Sequence, residues 1–466
     1  MKKSMRFVVM FGNRGFFPGE VIASAQKEMI QAVTEAGYEA LLMDNSLTRW
    51  GAVETVAEAK QFEAFLKQTR PDGVIICLPN FGDETSAAFA CRNAGVPILV
   101  QAYPDNAGEM DPAHRRDAFC GKLSLMDVFC QFKIPFTVDV PHVVHPSDPR
   151  FTQQLHDFAG ICRVVNGLRQ CTLGVFGART SAFKTVRYDE IALQKVGITV
   201  ETIDLSEVFA KVKALPEQDP SVLARIQELR ESTDCSAAPD KALMEMSRLS
   251  LVIDQYIKDL DLRMVAIRCW NEIEMQLGCA PCAIMKYLGE RGIPAACEAD
   301  VCNAVMMYAL SLASDSPSTL LDWNNNVGKE PDKCILFHCG PVPRQLLTND
   351  GHMIEHVMFA KSYGAGCGWG PVEGRLKPGD ISYASCKTEN GKLVAYMGNA
   401  RILDEAIEKE FFGCAGVAQI DHLQEKLCYF GVNAFRHHVA ISQGHVAQVL
   451  REAFGTYLGY DCVDLP

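Results

Sequence analysis

Val74-Ile75-Ile76-Cys77-Leu78 is an unbroken apolar run, and it stops at the loop Pro79-Asn80-Phe81-Gly82-Asp83-Glu84. A strand with one wet face alternates apolar and polar residues. A run that is apolar throughout reads as a strand covered on both faces, the usual condition in a parallel sheet. The flanking sequence repeats the pattern. Phe7-Val8-Val9-Met10-Phe11 is strand-like, the loop Gly12-Asn13-Arg14-Gly15-Phe16-Phe17-Pro18 follows, and residues 19–36 show helical spacing up to Gly37. Residues 39–43 read as a strand, 53–69 as a helix and Val96-Pro97-Ile98-Leu99-Val100 as another strand. This alternation predicts a parallel sheet with helices on both sides. Ligands in such sheets sit beyond the strand C-termini, which places Arg14 and the 79–84 loop on a ligand-facing edge.

The pattern restarts with Thr172-Leu173-Gly174-Val175-Phe176 and the loop Gly177-Ala178-Arg179-Thr180. A helix is expected around 185–196, a strand over 198–203, two helices within 206–262, a strand over 263–269, a helix over 280–290, a strand over 297–301 and a helix over 303–314. From about 331, glycines and short strands dominate, with Asn390-Gly391 as a hairpin turn. The fold expected is α/β: Rossmann-like domains over 1–168 and 169–330, then a mostly antiparallel, barrel-like domain over 331–466.

The 466 residues are 48% hydrophobic and 22% charged, with a net charge of -12. That balance fits a globular enzyme and disfavours nucleic acid and anionic membranes as partners. No apolar run approaches the roughly 20 residues that span a bilayer, and the run after Met1-Lys2-Lys3 is shorter than a signal h-region of about 7–15 residues. A cytoplasmic protein is expected, with most of its 19 cysteines reduced and buried. Cys279-Ala280-Pro281-Cys282 has no second CxxC at zinc-ribbon spacing.

Metal-capable side chains cluster late in the chain. Cys297-Glu298-Ala299-Asp300-Val301 follows the apolar stretch 293–296, His338 ends Cys334-Ile335-Leu336-Phe337, and His437-His438 opens Val439-Ala440-Ile441. On a strand, Glu298 and Asp300 face the same way, and two adjacent carboxylates there are costly unless paired or metal-bound. His338 fits two readings, a ligand or a core histidine bonded to a carbonyl. The side chains of His437 and His438 are expected to diverge, one toward metal and one toward substrate or solvent. Trp369, in Gly366-Cys367-Gly368-Trp369-Gly370, fits both a sugar platform and a packing role. Arg179, Lys184 and Arg187 are either solvated charges or a pocket for an anionic sugar substituent.

Glu298-Ala-Asp-Val-Cys-Asn-Ala-Val-Met and His437-His438-Val-Ala-Ile-Ser-Gln-Gly444-His445-Val446 resemble the L-fucose isomerase/L-arabinose isomerase family, in a short, divergent branch. The resemblance implies aldose–ketose isomerisation through a cis-enediol(ate), assisted by a divalent ion, most often Mn²⁺. It makes Asp300 and His438 metal ligands, with Glu298 at a neighbouring acidic position; Glu298 and, from its place at a strand end, His338 complete the expected ligand set. Glu298 and Asp300 are the catalytic candidates, and Arg14, His437 and Trp369 the substrate-binding ones. Arg14 would serve a neighbouring subunit, so a homo-oligomer, trimer or hexamer, is implied, with sites at its interfaces. The family's upstream carboxylate falls near Cys282, leaving Glu298, Glu272 or Glu274 to replace it. The substrate expected is a 6-deoxy, pentose-like or anionic 6-substituted (for example sulfonated) sugar. The rival readings are a metal-dependent epimerase or aldolase and a non-catalytic sugar-binding protein. The loops 12–15 and 174–177 do not form GxGxxG, which disfavours a dinucleotide enzyme.

Overall fold

The computed structural model describes residues 4–408 and 411–466. They form two compact units. One runs to Asn166 and includes Glu452–Leu458; the other holds Gly167–Arg451 and Gly459–Pro466.

In the first unit, β1 (Arg6–Phe11), β2 (Glu39–Leu41), β3 (Gly73–Leu78) and β4 (Ile98–Ala102) form a parallel sheet in the order β2-β1-β3-β4. The helices are α1 (Val21–Glu35), α2 (Val56–Thr69), α3 (Glu84–Cys91), α4 (Ala118–Gln131) and α5 (Pro149–Leu168). Successive strand residues go to opposite faces, and the sheet has a core on each. Val8, Met10, Val74, Ile76 and Val100 join one; Phe7, Val9, Phe11, Ile75 and Leu99 join the other. α2 starts at a capping box in which Thr55 and Glu58 each accept the other's backbone N–H. Beyond the C-terminal ends of β1 and β3, Arg14 pairs with Glu84, donates to the Gly82 carbonyl at 3.0 Å and lies 4.3 Å over the Phe81 ring.

In the second unit, β5 (Cys171–Phe176), β6 (Ile198–Ile203), β7 (Leu262–Ile267) and β8 (Ala295–Ala296) form another parallel sheet, ordered β6-β5-β7-β8. Its helices are α6 (Glu190–Lys195), α7 (Leu205–Ala214), α8 (Pro220–Ser232), α9 (Asp240–Asp259), α10 (Glu272–Leu277), α11 (Cys282–Glu290) and α12 (Val301–Ser314). Residues 206–262 thus carry three helices where two were expected. Asp219 caps α8 and Pro220 stands in its first turn, a pairing that restarts a helix where charge spacing alone suggests a loop.

The segment 297–301 is not a strand. Cys297–Ala299 is a 3-10 turn with Glu298 at φ 60° and Ala299 at φ 56°, and Asp300 caps α12 by accepting the Asn303 N–H at 3.2 Å. A carboxylate at a helix N-terminus meets unpaired N–H groups and the positive end of the dipole, which an extended strand does not offer. Glu298 and Asp300 therefore do not share a strand face.

The rest of this unit is built on a nine-stranded mixed sheet, with α13 (Val357–Tyr363) and α14 (Leu423–Val432) between its strands. Its strands are β9 (Ser318–Val327), β10 (Glu330–His338), β11 (His352–Glu355), β12 (Trp369–Arg375), β13 (Gly379–Glu389), β14 (Lys392–Leu403), β15 (Cys414–Gln419), β16 (His438–Gln443) and β17 (Asp461–Cys462). The order is β11-β12-β15-β10-β9-β16-β13-β14-β17, and β14 also pairs with β15. Asn390 and Gly391, at φ 51° and 73°, make the two-residue turn between β13 and β14. α12 is buried along most of its length and packs on β16, β13, β9 and β7, so its first turn lies where both sheets of this unit can reach it. Among the described residues no helix is long and apolar enough to cross a membrane.

Gly370 sits at φ 137° beside the Trp369 carbonyl, which accepts the Ala280 N–H at 2.7 Å; a Cβ on Gly370 would lie 2.0 Å from the Ala280 oxygen. Gly370→Ala should cost roughly 1–3 kcal/mol, read as a lower urea midpoint; an unchanged midpoint would contradict this register.

Candidate active site

The second unit brings four donor-bearing segments to one place. The turn after β8 supplies Glu298, the end of β10 His338, the start of β16 His438, and β9, which runs between β10 and β16, supplies Asp322. Register explains the meeting: Asp322 is the cross-strand partner of His438 on one side and of Phe337 on the other.

His438 is completely buried. Its Nδ1 donates to Asp300 Oδ2 at 2.8 Å, and its Nε2 lies 2.8 Å from Glu298 Oε2 and 3.4 Å from Asp322 Oδ1. His338 Nε2 and Asp322 Oδ1 are buried atoms without a hydrogen-bond partner, and His438 Nε2 meets only the carboxylates of Glu298 and Asp322 among the described residues. Donor atoms of Glu298, His338 and His438 lie within 4.8 Å of one another, and so do those of Asp322, His437 and His438. Native proteins leave few buried polar atoms unpaired, so several around one point mark a place for a further group.

Asp300 stands behind this cluster. It has no exposed surface, and both oxygens are engaged: Oδ1 by the Arg436 guanidinium and the Asn303 backbone N–H, Oδ2 by Asn303 Nδ2 at 2.7 Å and by His438. Arg436 is itself buried and donates onward to the Arg187 carbonyl at 3.3 Å. Burial alone would raise the Asp300 carboxyl, but the charge of Arg436 and the contact with His438 outweigh it and hold the group far below the usual carboxylate range. Burial would lower His438, yet its bonds to Asp300 and Glu298 push it up to about 10. Burial opposes ionisation of Glu298 too, and the neighbouring His438 reverses it, so Glu298 is also lowered. His437 is lowered, first by burial and then by the positive charge of His438.

Phe183 forms a wall, its ring centroid 5.5 Å from His437, 5.6 Å from His438 and 5.4 Å from Trp270. The rings of His437 and His438 lie 4.4 Å apart, His438 buried against the carboxylates and His437, just before β16, exposed. Trp369 is held at the start of β12 by the Cys279-Ala280 backbone; the tryptophan linked to the histidines through Phe183 is Trp270. Arg14 keeps its place at the sheet edge of the first unit. Of the upstream carboxylates, Glu272 pairs with Arg268 at 2.7 Å, whereas Glu274 is wholly buried with neither oxygen bonded.

Sequence reasoning missed Arg436, Asp322, Phe183 and Trp270 as site residues. Asp322 carried the same signal as His338, a ligand-type residue after an apolar pair, Leu320-Leu321. Arg436 adjoins His437, but nothing local says that it points inward.

The raised His438 has a consequence for metal-free protein. A group whose folded value lies above its unfolded one stabilises fully below the unfolded value and loses that contribution as pH rises toward the folded one. Chelator-treated protein should therefore lose stability between the ordinary 6.5 and about 10, and His438→Gln should flatten that slope in urea titrations across pH. Identical slopes would contradict the assignment.

Residues 8–169 match the family model described as fucose/sulfoquinovose isomerase, N-terminal domain, and residues 336–465 match L-fucose isomerase, C-terminal domain. The chain is 23% identical over 412 residues to the sulfoquinovose isomerases of Priestia aryabhattai and Priestia megaterium (strain ATCC 12872 / QMB1551), across 86% of this chain and 87% of each of those. It is 23% identical over 293 residues to that of Alkalicoccus urumqiensis, across 62% and 64%. The two family models together take in more than half of the sequence, and the chain belongs to the fucose/sulfoquinovose isomerase family of aldose–ketose isomerases.

Proposed function

We propose that this chain converts a sulfonated aldohexose to its ketose with the help of a divalent cation. The observation that carries the chemistry is the convergence of Glu298, His338 and His438, whose donor atoms lie within 4.8 Å of one another, with Asp322 Oδ1 3.4 Å from His438 Nε2. Imidazole nitrogens with carboxylate oxygens suit Mn²⁺, Fe²⁺ or Co²⁺, and we assign Mn²⁺. The substrate class rests on the named activity of the sulfoquinovose isomerase relatives.

Glu298 and His438 would hold the cation. When bound, it polarises a substrate carbonyl and stabilises enediolate charge. His438 is oriented for this task, since its Nδ1–H is committed to Asp300 and its Nε2, the nitrogen that would give up its proton to a cation, faces Glu298. Asp300 is thus a positioning residue in our reading, not the ligand or base expected from the sequence. His338 is presented the other way round. The Cys339 N–H donates to its Nδ1 at 2.9 Å, so the neutral ring carries its proton on Nε2. That makes His338 a donor to a substrate oxygen. Asp322, whose Oδ1 lies 3.4 Å from His438 and 3.7 Å from His437, is the carboxylate that moves the proton between C2 and C1. The loop bearing Phe183 also carries Lys184 and Arg187, both exposed, and we assign them to the sulfonate.

The cycle of pairings β15-β10-β9-β16-β13-β14, closed by β14–β15, supports a barrel-like C-terminal body. The nineteen cysteines, none bridged among the described residues, support a cytoplasmic location. Arg14 would act on a neighbouring subunit of a trimer or hexamer.

Purified protein offered 6-deoxy-6-sulfoglucose, L-fucose and L-arabinose should form ketose fastest from the sulfonated sugar, lose activity on chelation and recover it with Mn²⁺. Preference for L-fucose would overturn the substrate, and full activity after chelation the cation. The roles separate in variants. Asp322→Asn and His338→Gln should retain Mn²⁺ in equilibrium dialysis while kcat falls about 100-fold or more, whereas His438→Ala should lose the ion. Loss of Mn²⁺ in His338→Gln would make His338 a ligand.

A further inference from the structure

The second unit holds a cavity of about 610 Å³, walled by α9, α10, the end of α7 and the loop 365–367. None of the clustered donors Glu298, Asp322, His338 and His438 lines it. Lys241, Glu245 and Arg248 reach it from one face of α9, at the i, i+4, i+7 spacing that stacks side chains. Lys213 closes one side and Glu274 another.

Two of these side chains carry buried polar atoms without a hydrogen-bond partner. Glu274 has no exposed surface, and neither carboxyl oxygen makes a hydrogen bond. Arg248, 8% exposed, bonds Glu245 at 2.8 Å and the Lys213 carbonyl at 3.2 Å, yet its Nε is unpaired. An unpaired buried carboxyl and guanidinium N–H each cost free energy that a bound molecule would recover. The charges define that molecule. Burial, with Glu272 nearby, pushes Glu274 up to about 8, so at neutral pH it is mostly a neutral acid able both to donate and to accept. Glu245 is already matched by Arg248, leaving Lys213 and Lys241 as surplus positive charge facing the cavity.

We propose that this cavity binds a small polyhydroxylated molecule carrying one oxyanion group, phosphate or sulfonate, with the anion on Lys213, Lys241 and Arg248 and a hydroxyl on Glu274. The site is independent of the isomerase reading. Trp270, the ring neighbour of Phe183, lies two residues before α10 in sequence.

Isothermal titration of the full chain tests it with two probes that distinguish the anions, glucose 6-phosphate and 2,3-dihydroxypropane-1-sulfonate. Wild-type protein should bind at least one at a single site. Lys213→Ala/Lys241→Ala, which alters two exposed side chains, should weaken that binding roughly tenfold or more. Glu298→Gln, which alters the metal-capable cluster, should leave it unchanged. Failure of both probes to bind at millimolar concentration, undiminished affinity in the lysine variant, or loss of binding in Glu298→Gln would each overturn the proposal.

Discussion

The chain of contacts from Arg436 through Asp300 to His438 is the constraint on which the second unit turns. Three groups that would each be costly to bury alone are buried together, each satisfying the next. Removing one member of such a set typically costs about 3–5 kcal/mol, because an uncompensated charge remains inside. The set also joins parts of the chain far apart in sequence. Asp300 caps α12 on the α/β side, while Arg436 and His438 lead into a strand of the large sheet. Fixing the ring of His438 fixes where its second nitrogen points, and Glu298 and Asp322 lie around that nitrogen.

The positive-φ turn at Glu298 and Ala299 has a use in this frame. An extended 297–301 segment would have sent Glu298 and Asp300 to the same side. The turn instead separates them, so that Asp300 approaches His438 at Nδ1 and Glu298 at Nε2. One imidazole is thereby gripped on one edge and offered on the other, the arrangement by which an outer carboxylate orients a metal-binding histidine. His338, turned the other way by the Cys339 N–H, lends itself to hydrogen-bond donation.

Much of this was legible in the sequence because burial writes itself into apolar runs. The strands of the first parallel sheet, β5 to β7 of the second, the Asn390-Gly391 turn and the placement of His338 and His438 at strand ends follow from runs and punctuation alone. The segment 297–301 misled because Cys-Glu-Ala-Asp-Val after an apolar stretch satisfies both a strand and a helix cap, and only the fit of Asp300 to Asn303 and Arg436 decides between them. Asp322 and Arg436 were hidden for a related reason. A carboxylate in a strand and an arginine before a histidine are common, and their meaning comes from cross-strand register, which is not local. Trp369 and Trp270 illustrate the same limit: each stands in a turn-like segment, and the ring of Phe183, distant from both in sequence, links Trp270 to the histidines.

The central claim is that Glu298 and His438 hold a cation while Asp300 stands behind the histidine. A crystal of the Mn²⁺-loaded protein, measured at a wavelength where manganese scatters anomalously, tests it directly. The account predicts one strong anomalous peak in contact with Glu298 and His438 Nε2, with both Asp300 oxygens still on Arg436, Asn303 and His438. A peak coordinated by Asp300, or no peak beside His438 Nε2, would contradict it.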